Sequence, residues 1–151
     1  MATLQEKLGH SPPGYKAESS PPRATKRGPR IRGSRSVAEL LADIAGAEQE
    51  FAVVLLLDSK HRVLRRVLSG VGTLAEVGVH PREVFREAVR QPAAAIIFAH
   101  NHPSGDPEPS AEDLVLTARL RDAGVLLGIP LLDHVIVAAD GFVSLADRGM
   151  L

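Results

Sequence analysis

Two histidines separated by one residue, His100 and His102, are the residues whose types and spacing most strongly suggest chemistry in this sequence. They follow the apolar run 93–99, which has the length and composition of a buried strand. Side chains two residues apart on an extended chain lie on the same side, so both imidazoles are expected to face one point. Histidine nitrogens are common ligands of Zn²⁺, and the pair is therefore a candidate metal site.

A serine and an aspartate follow this pair at a spacing that could complete the site. After His102, a loop with three prolines and one glycine leads to Ser110, which is expected to begin a helix with Asp113 in its first turn. Ser110-x-x-Asp113 is also close to a capping box, in which the acid only satisfies a backbone amide. Asp113 shares its helical face with Leu116 and Leu120, so it should point to the core, where a metal would be a suitable partner.

An isolated His-x-His has a plain alternative explanation, because it is more often a polar turn after a strand than a metal site. The Ser110-x-x-Asp113 pattern that follows reverses this preference. Two neutral imidazoles and one carboxylate would leave a fourth tetrahedral position for water, as in a catalytic rather than a structural zinc site. The sequence therefore predicts one zinc ion per chain, held by His100, His102 and Asp113.

The pattern His-x-His, seven residues, Ser-x-x-Asp resembles the signature of the JAMM (MPN-plus) metalloproteases and is matched here without a gap. Within that group the chain resembles the RadC family in three stretches: HNHPSGDPEPS, VHPREVF at 79–85 and LLGIPLLDHVIV at 126–137. The resemblance covers roughly residues 47–151. It implies an α/β fold of the JAMM/MPN (cytidine-deaminase-like) type, with a mixed β-sheet flanked by helices.

The same resemblance implies roles for further residues. The family places a glutamate at the start of a strand, beside the zinc-bound water. Glu50, directly before the apolar run 51–57, matches this position best, and Glu48 is the competitor. The resemblance implies a zinc metallopeptidase acting on peptide or isopeptide bonds. In it, zinc lowers the pKa of water to about 7, Glu50 is the general base, and zinc and Ser110 stabilise the oxyanion.

Other polar residues near these motifs receive lesser roles. Asp133 and His134 are neighbours within a strand, so only one of them can approach the site. His134 is given a minor role behind the metal ligands and is left out of the site. Asn101 should point away from the histidines and brace the loop. Asp106 and Glu108 lie on that loop, which should border the cleft, and they are candidates for substrate contact.

Hydrophobic periodicity predicts the elements that carry these residues. A helix is expected from Ser36, whose Ser-x-x-Glu pattern is a capping box, until Gly46. Strands interleaved with helices then imply a mixed α/β sheet covered by helices. The expected strands are 51–57, its hairpin partner 61–68, 93–99, 131–138 and 141–145, and the expected helices begin at Pro81 and at Ser110, the latter ending at Gly124.

Composition and charge limit the class of protein further. The 151 residues include 44% hydrophobic residues and no cysteine, which fits one globular domain and excludes disulfides and thiolate metal sites. Residues 1–35 carry eight Lys/Arg against two acids, and the remainder carries a net charge of −6. We expect a disordered basic arm at 1–35 and the JAMM/MPN domain at 36–151. No signal peptide or membrane-spanning run is visible, so a cytoplasmic protein without membrane contact is expected.

Two other classes of function remain open at this point. The basic arm could bind nucleic acid weakly and non-specifically, as in a DNA-repair-associated RadC-like factor, although a solubilising tail is the simpler interpretation. RadC relatives usually carry a helix-hairpin-helix region where this sequence has the arm and one short helix, which weakens the link to repair. A non-catalytic MPN scaffold ranks last, because such domains typically lack the metal ligands that are kept here.

Overall fold

The computed structural model describes residues 28–72 and 79–151, and its centre is a five-stranded sheet with helices on both faces. Across the sheet the strands have the order β2-β1-β3-β4-β5; β3 and β4 are parallel, and the other neighbours are antiparallel. The mixed α/β sheet that the sequence predicts is thereby confirmed. Along the chain the elements are α1 (Ser34–Leu40), α2 (Ala42–Ala45), β1 (Phe51–Leu57), β2 (Val63–Val71), α3 (Pro81–Arg90), β3 (Ala95–Asn101), α4 (Ala111–Leu127), β4 (Leu131–Ala138) and β5 (Gly141–Ser144).

Alternation along the central strands divides the core into two layers. The layer between the sheet and helices α3 and α4 includes Ala52, Val54, Leu56, Val84, Phe85, Ile96, Phe98, Leu116 and Leu120. The layer between the sheet and helices α1 and α2 includes Val37, Leu41, Ile44, Val53, Leu55, Leu57, Ile97, Val135 and Val137. His100 continues the β3 row formed by Ile96 and Phe98, so its side chain lies on the face that α4 covers.

The central strands follow the sequence prediction closely, with one difference that matters for the site. Strand β1 has the predicted bounds, because a continuous apolar run can be buried on both faces only inside a covered sheet. Strand β2 is its predicted antiparallel partner. Strand β3 continues to Asn101, beyond the expected end at Ala99. His100 is therefore held by the strand ladder itself and does not follow it.

Helix α4 is longer than the sequence indicates, and the predicted end at Gly124 is wrong. The helix continues to Leu127, and Gly128 caps it in the left-handed conformation with φ 69°. At Gly124 the helix passes so close to the chain before β4 that a Cβ atom would lie 2.6 Å from the carbonyl oxygen of Ile129. Within residues 28–72 and 79–151, neither α4 nor another helix combines the length and apolar character needed to cross a bilayer.

Helix α1 also begins earlier than expected, because Ser36 does not act as its N-cap. The helix starts at Ser34 after Gly33, and Ser36 lies inside its first turn. From there the Ser36 hydroxyl oxygen accepts hydrogen bonds from the Arg32 and Gly33 amides at 3.0 and 3.3 Å. The serine therefore satisfies amide groups at the helix start from the third helical position, which is the part that the N3 residue plays in a capping box, and Gly33 is the N-cap.

Part of the segment assigned to the arm packs against the domain. The Gly28 and Ile31 amides donate hydrogen bonds to the carbonyl oxygens of Val63 and His61, at 2.9 and 2.8 Å. Ile31 also packs against the core layer under α1 and α2. The expected boundary at Ser36 therefore lies too late for these residues. Residues 1–27 lie outside the described part of the chain, so their predicted disorder stays a prediction.

Candidate metal centre

The end of β3 and the first turn of α4 bring the three predicted metal ligands together. His100 is fully buried, and His102 has 17% of its side chain exposed. Their Nε2 atoms lie 3.0 Å apart, and each oxygen of the Asp113 carboxylate lies 3.2 Å from one of them. Two ligand atoms about 2.0–2.1 Å from one tetrahedral zinc are roughly 3.4 Å apart, so this spacing suits a single ion.

Asp113 makes the contacts of both roles that the sequence left open, the helix cap and the partner of the two histidines. In a capping box, the Ser110 amide donates to Asp113 Oδ2 at 2.9 Å and the Asp113 amide donates to Ser110 Oγ at 3.1 Å. The same carboxylate, which is almost completely buried, contacts both imidazoles. Burial alone would raise the pKa of Asp113, but the contacts with His100 and His102 outweigh it and hold the pKa far below its usual value. Asp113 is therefore an ionised group in a fixed position.

Glu50 joins the site from the neighbouring strand. It precedes β1, in which Ala52 is paired with His100, and its Oε1 lies 3.8 Å from His100 Nε2. One ligand atom from each of Glu50, His100 and His102 lies within 4.8 Å of the others, so this trio could hold a metal ion. The competitor Glu48 is exposed and does not belong to the trio. The geometry thus favours Glu50 over Glu48 as the acid of the site.

Two carboxylates are consequently available as the third ligand to the same pair of histidines. Asp113 lies 3.2 Å from both Nε2 atoms and has 3% of its side chain exposed, whereas Glu50 lies 3.8 Å from one and has 14% exposed. The shorter contacts and deeper burial favour Asp113 as the ligand. The more open position of Glu50 suits a group that exchanges protons with water and substrate. This division of roles stays a prediction.

Asn101, between the two histidines, fixes the segment that carries Glu50. Its fully buried side chain lies on the sheet face opposite to His100. Asn101 Oδ1 accepts a hydrogen bond from the Phe51 amide at 2.6 Å, and Nδ2 donates to the carbonyl oxygen of Gln49 at 2.9 Å. From the sequence, this side chain was expected to brace the loop after the histidines. In the structure it braces the residues on either side of Glu50 instead.

His134, which the sequence analysis left outside the site, contacts it directly. It is fully buried in β4, with Nε2 2.8 Å from His100 Nδ1 and Nδ1 2.6 Å from Thr117 Oγ1. Burial holds the pKa of His134 well below its usual value, so the ring is neutral. Asp133 lies on the other face and accepts a hydrogen bond from the Ser144 hydroxyl at 2.6 Å. Strand alternation indicated that only one of the pair can face the site, and the minor role given to His134 was too small for the contacts that it makes.

His102 Nε2 and Asp113 Oδ2 face each other, and both are hydrogen-bond acceptors when the imidazole is neutral. Two acceptors in this position need a proton or a metal ion between them. His102 Nδ1 lies 2.8 Å from the carbonyl oxygen of Asp106, so Nδ1 carries the hydrogen and Nε2 of the neutral ring presents a lone pair. That lone pair faces a carboxylate oxygen of Asp113, and the two repel unless a proton or a metal ion lies between them. The hydrogen bond to Asp113 accordingly raises the pKa of His102 despite partial burial. Imidazole nitrogens with a carboxylate are a ligand set that Zn²⁺ prefers, so these residues fit the predicted metal.

Three contacts attach the loop between the histidines and α4 to the domain, and in one of them the Gly105 carbonyl oxygen accepts a hydrogen bond from the Asp140 amide at 3.1 Å. The Asp106 carbonyl accepts the hydrogen bond from His102, and the exposed Glu108 carboxylate pairs with Arg148. This hydrogen-bonded pairing lowers the pKa of Glu108. Because Glu108 is occupied by Arg148, a substrate would have to compete with an existing ion pair to reach it. The expected substrate contacts of Asp106 and Glu108 stay predictions.

A mixed sheet whose strand end carries His-x-His, with an aspartate on the following helix, defines a domain of the JAB/MPN class. The comparison with known families agrees with this assignment. The family described as RadC-like JAB domain matches residues 31–150. The chain therefore belongs to the RadC-like JAB-domain family, as the sequence motifs indicated.

Curated relatives from several bacteria carry the same domain. The UPF0758 protein of Syntrophotalea carbinolica is 56% identical over 104 residues, which cover 69% of this chain and 46% of the relative. The UPF0758 protein of Shouchella clausii is 48% identical over 122 residues, which cover 80% of this chain and 53% of the relative. The chain spans about half the length of the curated relatives it matches. These names specify no reaction.

Proposed function

We propose that this chain is a zinc-dependent metallohydrolase of the JAMM type that cleaves peptide or isopeptide bonds. His100, His102 and Asp113 would hold the zinc ion. The observation that carries the proposal is the convergence of two imidazole nitrogens and an ionised carboxylate beside a second carboxylate, Glu50. Three protein ligands leave one tetrahedral position for water, which is typical of catalytic zinc sites.

The residues around this position can carry out the proton transfers of amide hydrolysis. Zinc bound there would lower the pKa of water to about 7 and so supply a nucleophile at neutral pH. Glu50 borders His100 Nε2 and is partly exposed, so it can accept a proton from the attacking water. When the C–N bond breaks, Glu50 returns that proton to the leaving amine. The cap uses the Ser110 oxygen as an acceptor, so the Ser110 hydroxyl hydrogen can be donated to the developing oxyanion.

The proposed substrate class rests on the resemblance to the JAMM proteases. Peptide and isopeptide bonds are both amides, and both release an amine that needs the proton Glu50 would return. Profiling of newly formed peptide termini in a cell lysate tests this directly. The protein is expected to generate termini that its Glu50→Gln variant does not generate, and identical profiles for the two proteins would contradict the proposal.

Two variants separate the general base from the metal ligand. Glu50→Gln keeps the shape of the side chain but cannot accept a proton at neutral pH, so zinc content should be unchanged while hydrolysis falls roughly 10²- to 10⁴-fold. Asp113→Asn removes the charge closest to both histidines, so zinc should bind more weakly and excess zinc should partly restore activity. Zinc per chain is measured by elemental mass spectrometry. If Glu50→Gln loses zinc as readily as Asp113→Asn, Glu50 is a ligand and its assignment as the base is wrong.

A second proposal is weak, non-specific nucleic-acid binding by residues 1–35. It is supported by the formal charge of +6 on this segment and by the exposure of Arg30, Arg32 and Arg35. Binding to duplex DNA should weaken steeply with salt, because neutralised phosphates release counterions. It should also be lost in a variant with these three arginines and the basic residues before them changed to glutamine. Binding that is insensitive to salt would contradict the proposal.

A further inference from the structure

A buried chain of hydrogen bonds connects the backbone of α4 to the first histidine of the site. The Thr117 hydroxyl donates to the Asp113 carbonyl oxygen at 2.7 Å, and Thr117 Oγ1 lies 2.6 Å from His134 Nδ1. At the other end of the ring, His134 Nε2 lies 2.8 Å from His100 Nδ1. Thr117, His134 and His100 are between 0% and 2% exposed, so they must satisfy their polar atoms through one another.

The last acceptor of the chain determines the direction of every hydrogen bond in it. A backbone carbonyl can only accept, so the single hydroxyl hydrogen of Thr117 is used at Asp113. His134 Nδ1 must therefore carry a hydrogen and donate to Thr117. In a neutral ring this leaves His134 Nε2 as an acceptor, and His100 Nδ1 must then donate to it. His100 consequently presents the lone pair of Nε2 to Asp113 and His102.

The opposite direction of donation carries a specific cost. Thr117 would have to donate to His134, and its oxygen would then face the Asp113 carbonyl oxygen at 2.7 Å without a hydrogen between them. His134 would donate to His100, and His100 Nε2 would carry a hydrogen where a metal ligand needs a lone pair. The hydroxyl of Thr117 therefore favours the form of His100 that can bind a metal.

We infer that Thr117 and His134 are positioning residues that hold His100 in the tautomer with hydrogen on Nδ1 and a lone pair on Nε2. The inference rests on the metal centre of the proposed function, but not on the reaction or the substrate. Hydrogen-bond partners behind a ligating histidine typically contribute 10- to 100-fold to metal affinity. The same chain also connects two of the proposed ligands, since it ends on the backbone of Asp113.

Two substitutions of Thr117 separate this role from simple packing. Thr117→Val keeps the shape but removes the hydroxyl, whereas Thr117→Ser keeps the hydroxyl and removes a methyl group. Zinc affinity is measured for the full chain and both variants by competition with a chromophoric chelator. We expect Thr117→Val to bind zinc roughly 10- to 100-fold more weakly, and Thr117→Ser to bind like the unmodified protein. A packing role predicts the reverse order, because valine fills the site better than serine.

The tautomers themselves provide a second measurement. In the zinc-loaded protein labelled with ¹⁵N-histidine, long-range ¹H–¹⁵N correlation should show His134 protonated at Nδ1 and unprotonated at Nε2. Equal zinc affinity in Thr117→Val and the unmodified protein, or a hydrogen on His134 Nε2, would overturn this inference alone. Failure of the unmodified protein to bind zinc would overturn the proposed function and the inference with it.

Discussion

Replacing Asn101 with alanine tests how the sheet positions Glu50. The substitution removes the acceptor of the Phe51 amide and the donor to the Gln49 carbonyl, the two hydrogen bonds that enclose Glu50. None of the proposed metal ligands is changed. We therefore expect a less stable domain that still binds zinc, with a weakened proton-transfer step because Glu50 is no longer held beside His100.

The size of the effect on stability follows from the exposure of the two abandoned partners. Phe51 is half-buried, so its amide stays largely unsatisfied, which costs about 1–3 kcal/mol. Gln49 is exposed and its carbonyl can bind water, so that loss costs about 0.5–1.5 kcal/mol. Together the two losses lower the free energy of unfolding by about 1.5–4.5 kcal/mol. For a domain of this size, the midpoint of thermal unfolding should fall by on the order of 10 °C.

Denaturant and thermal unfolding of the zinc-free proteins provide the assay, and zinc content is measured in parallel. Glu108→Gln is a suitable control, because it removes a polar contact elsewhere, an exposed ion pair with Arg148, and should change stability little. An Asn101→Ala variant within about 0.5 kcal/mol of the unmodified protein would show that the two hydrogen bonds do not hold this segment. Loss of zinc binding in this variant would show that Asn101 supports the ligands and not Glu50 alone.

Three further predictions concern the metal, the core and the chain boundary. Zinc affinity should fall by about tenfold per pH unit below the pKa of His102, which a neighbouring carboxylate raises in the metal-free protein, since zinc needs the neutral ring. Competition titrations between about pH 8 and pH 5 measure this, and a constant affinity would contradict it. Gly124→Ala should lower the free energy of unfolding by about 1–3 kcal/mol, because the added methyl group overpacks the contact with Ile129. Gly46→Ala is the control, because its Cβ position is open and stability should not fall. Equal unfolding midpoints for the two variants would disprove the close approach of α4 to Ile129. Removing residues 1–27 should leave the midpoint of thermal unfolding unchanged. Removing 1–35 should lower it, because Gly28 and Ile31 contact the domain. The expectation fails if both truncations unfold at the same temperature.

The parts of the fold that the sequence predicted correctly depend on local signals. Strand β1 is one uninterrupted apolar run, Pro81 begins α3 at the position where a missing amide costs nothing, and Ser110 caps α4. The convergence of His100, His102 and Asp113 could also be predicted from local signals. Strand alternation, a short loop and the start of a helix are enough to place these three residues on one face of the sheet.

The parts that the sequence did not predict depend on contacts between distant segments. Gly124 was interpreted as a helix end because glycine often has that role, whereas the carbonyl oxygen of Ile129 explains the missing side chain. Asn101 and His134 were underrated for the same reason. Their partners, the segment around Glu50 and the side chain of Thr117, are set by the order of strands in the sheet and by the path of α4 over it, which periodicity along the chain does not encode.

The proposed double role of Asp113, as a capping residue and a metal ligand, has a consequence for how metal would enter and leave. Its carboxylate is anchored by the Ser110 amide, so it has a defined position before any cation arrives. Under the proposed function, metal uptake would exchange a proton for an ion between two folded states, unlike zinc fingers, in which metal uptake and folding are one event. A chelator could then remove the metal without unfolding the domain. The fraction of the protein that holds metal in a cell would depend on the metal concentration and not on whether metal was present when the protein folded.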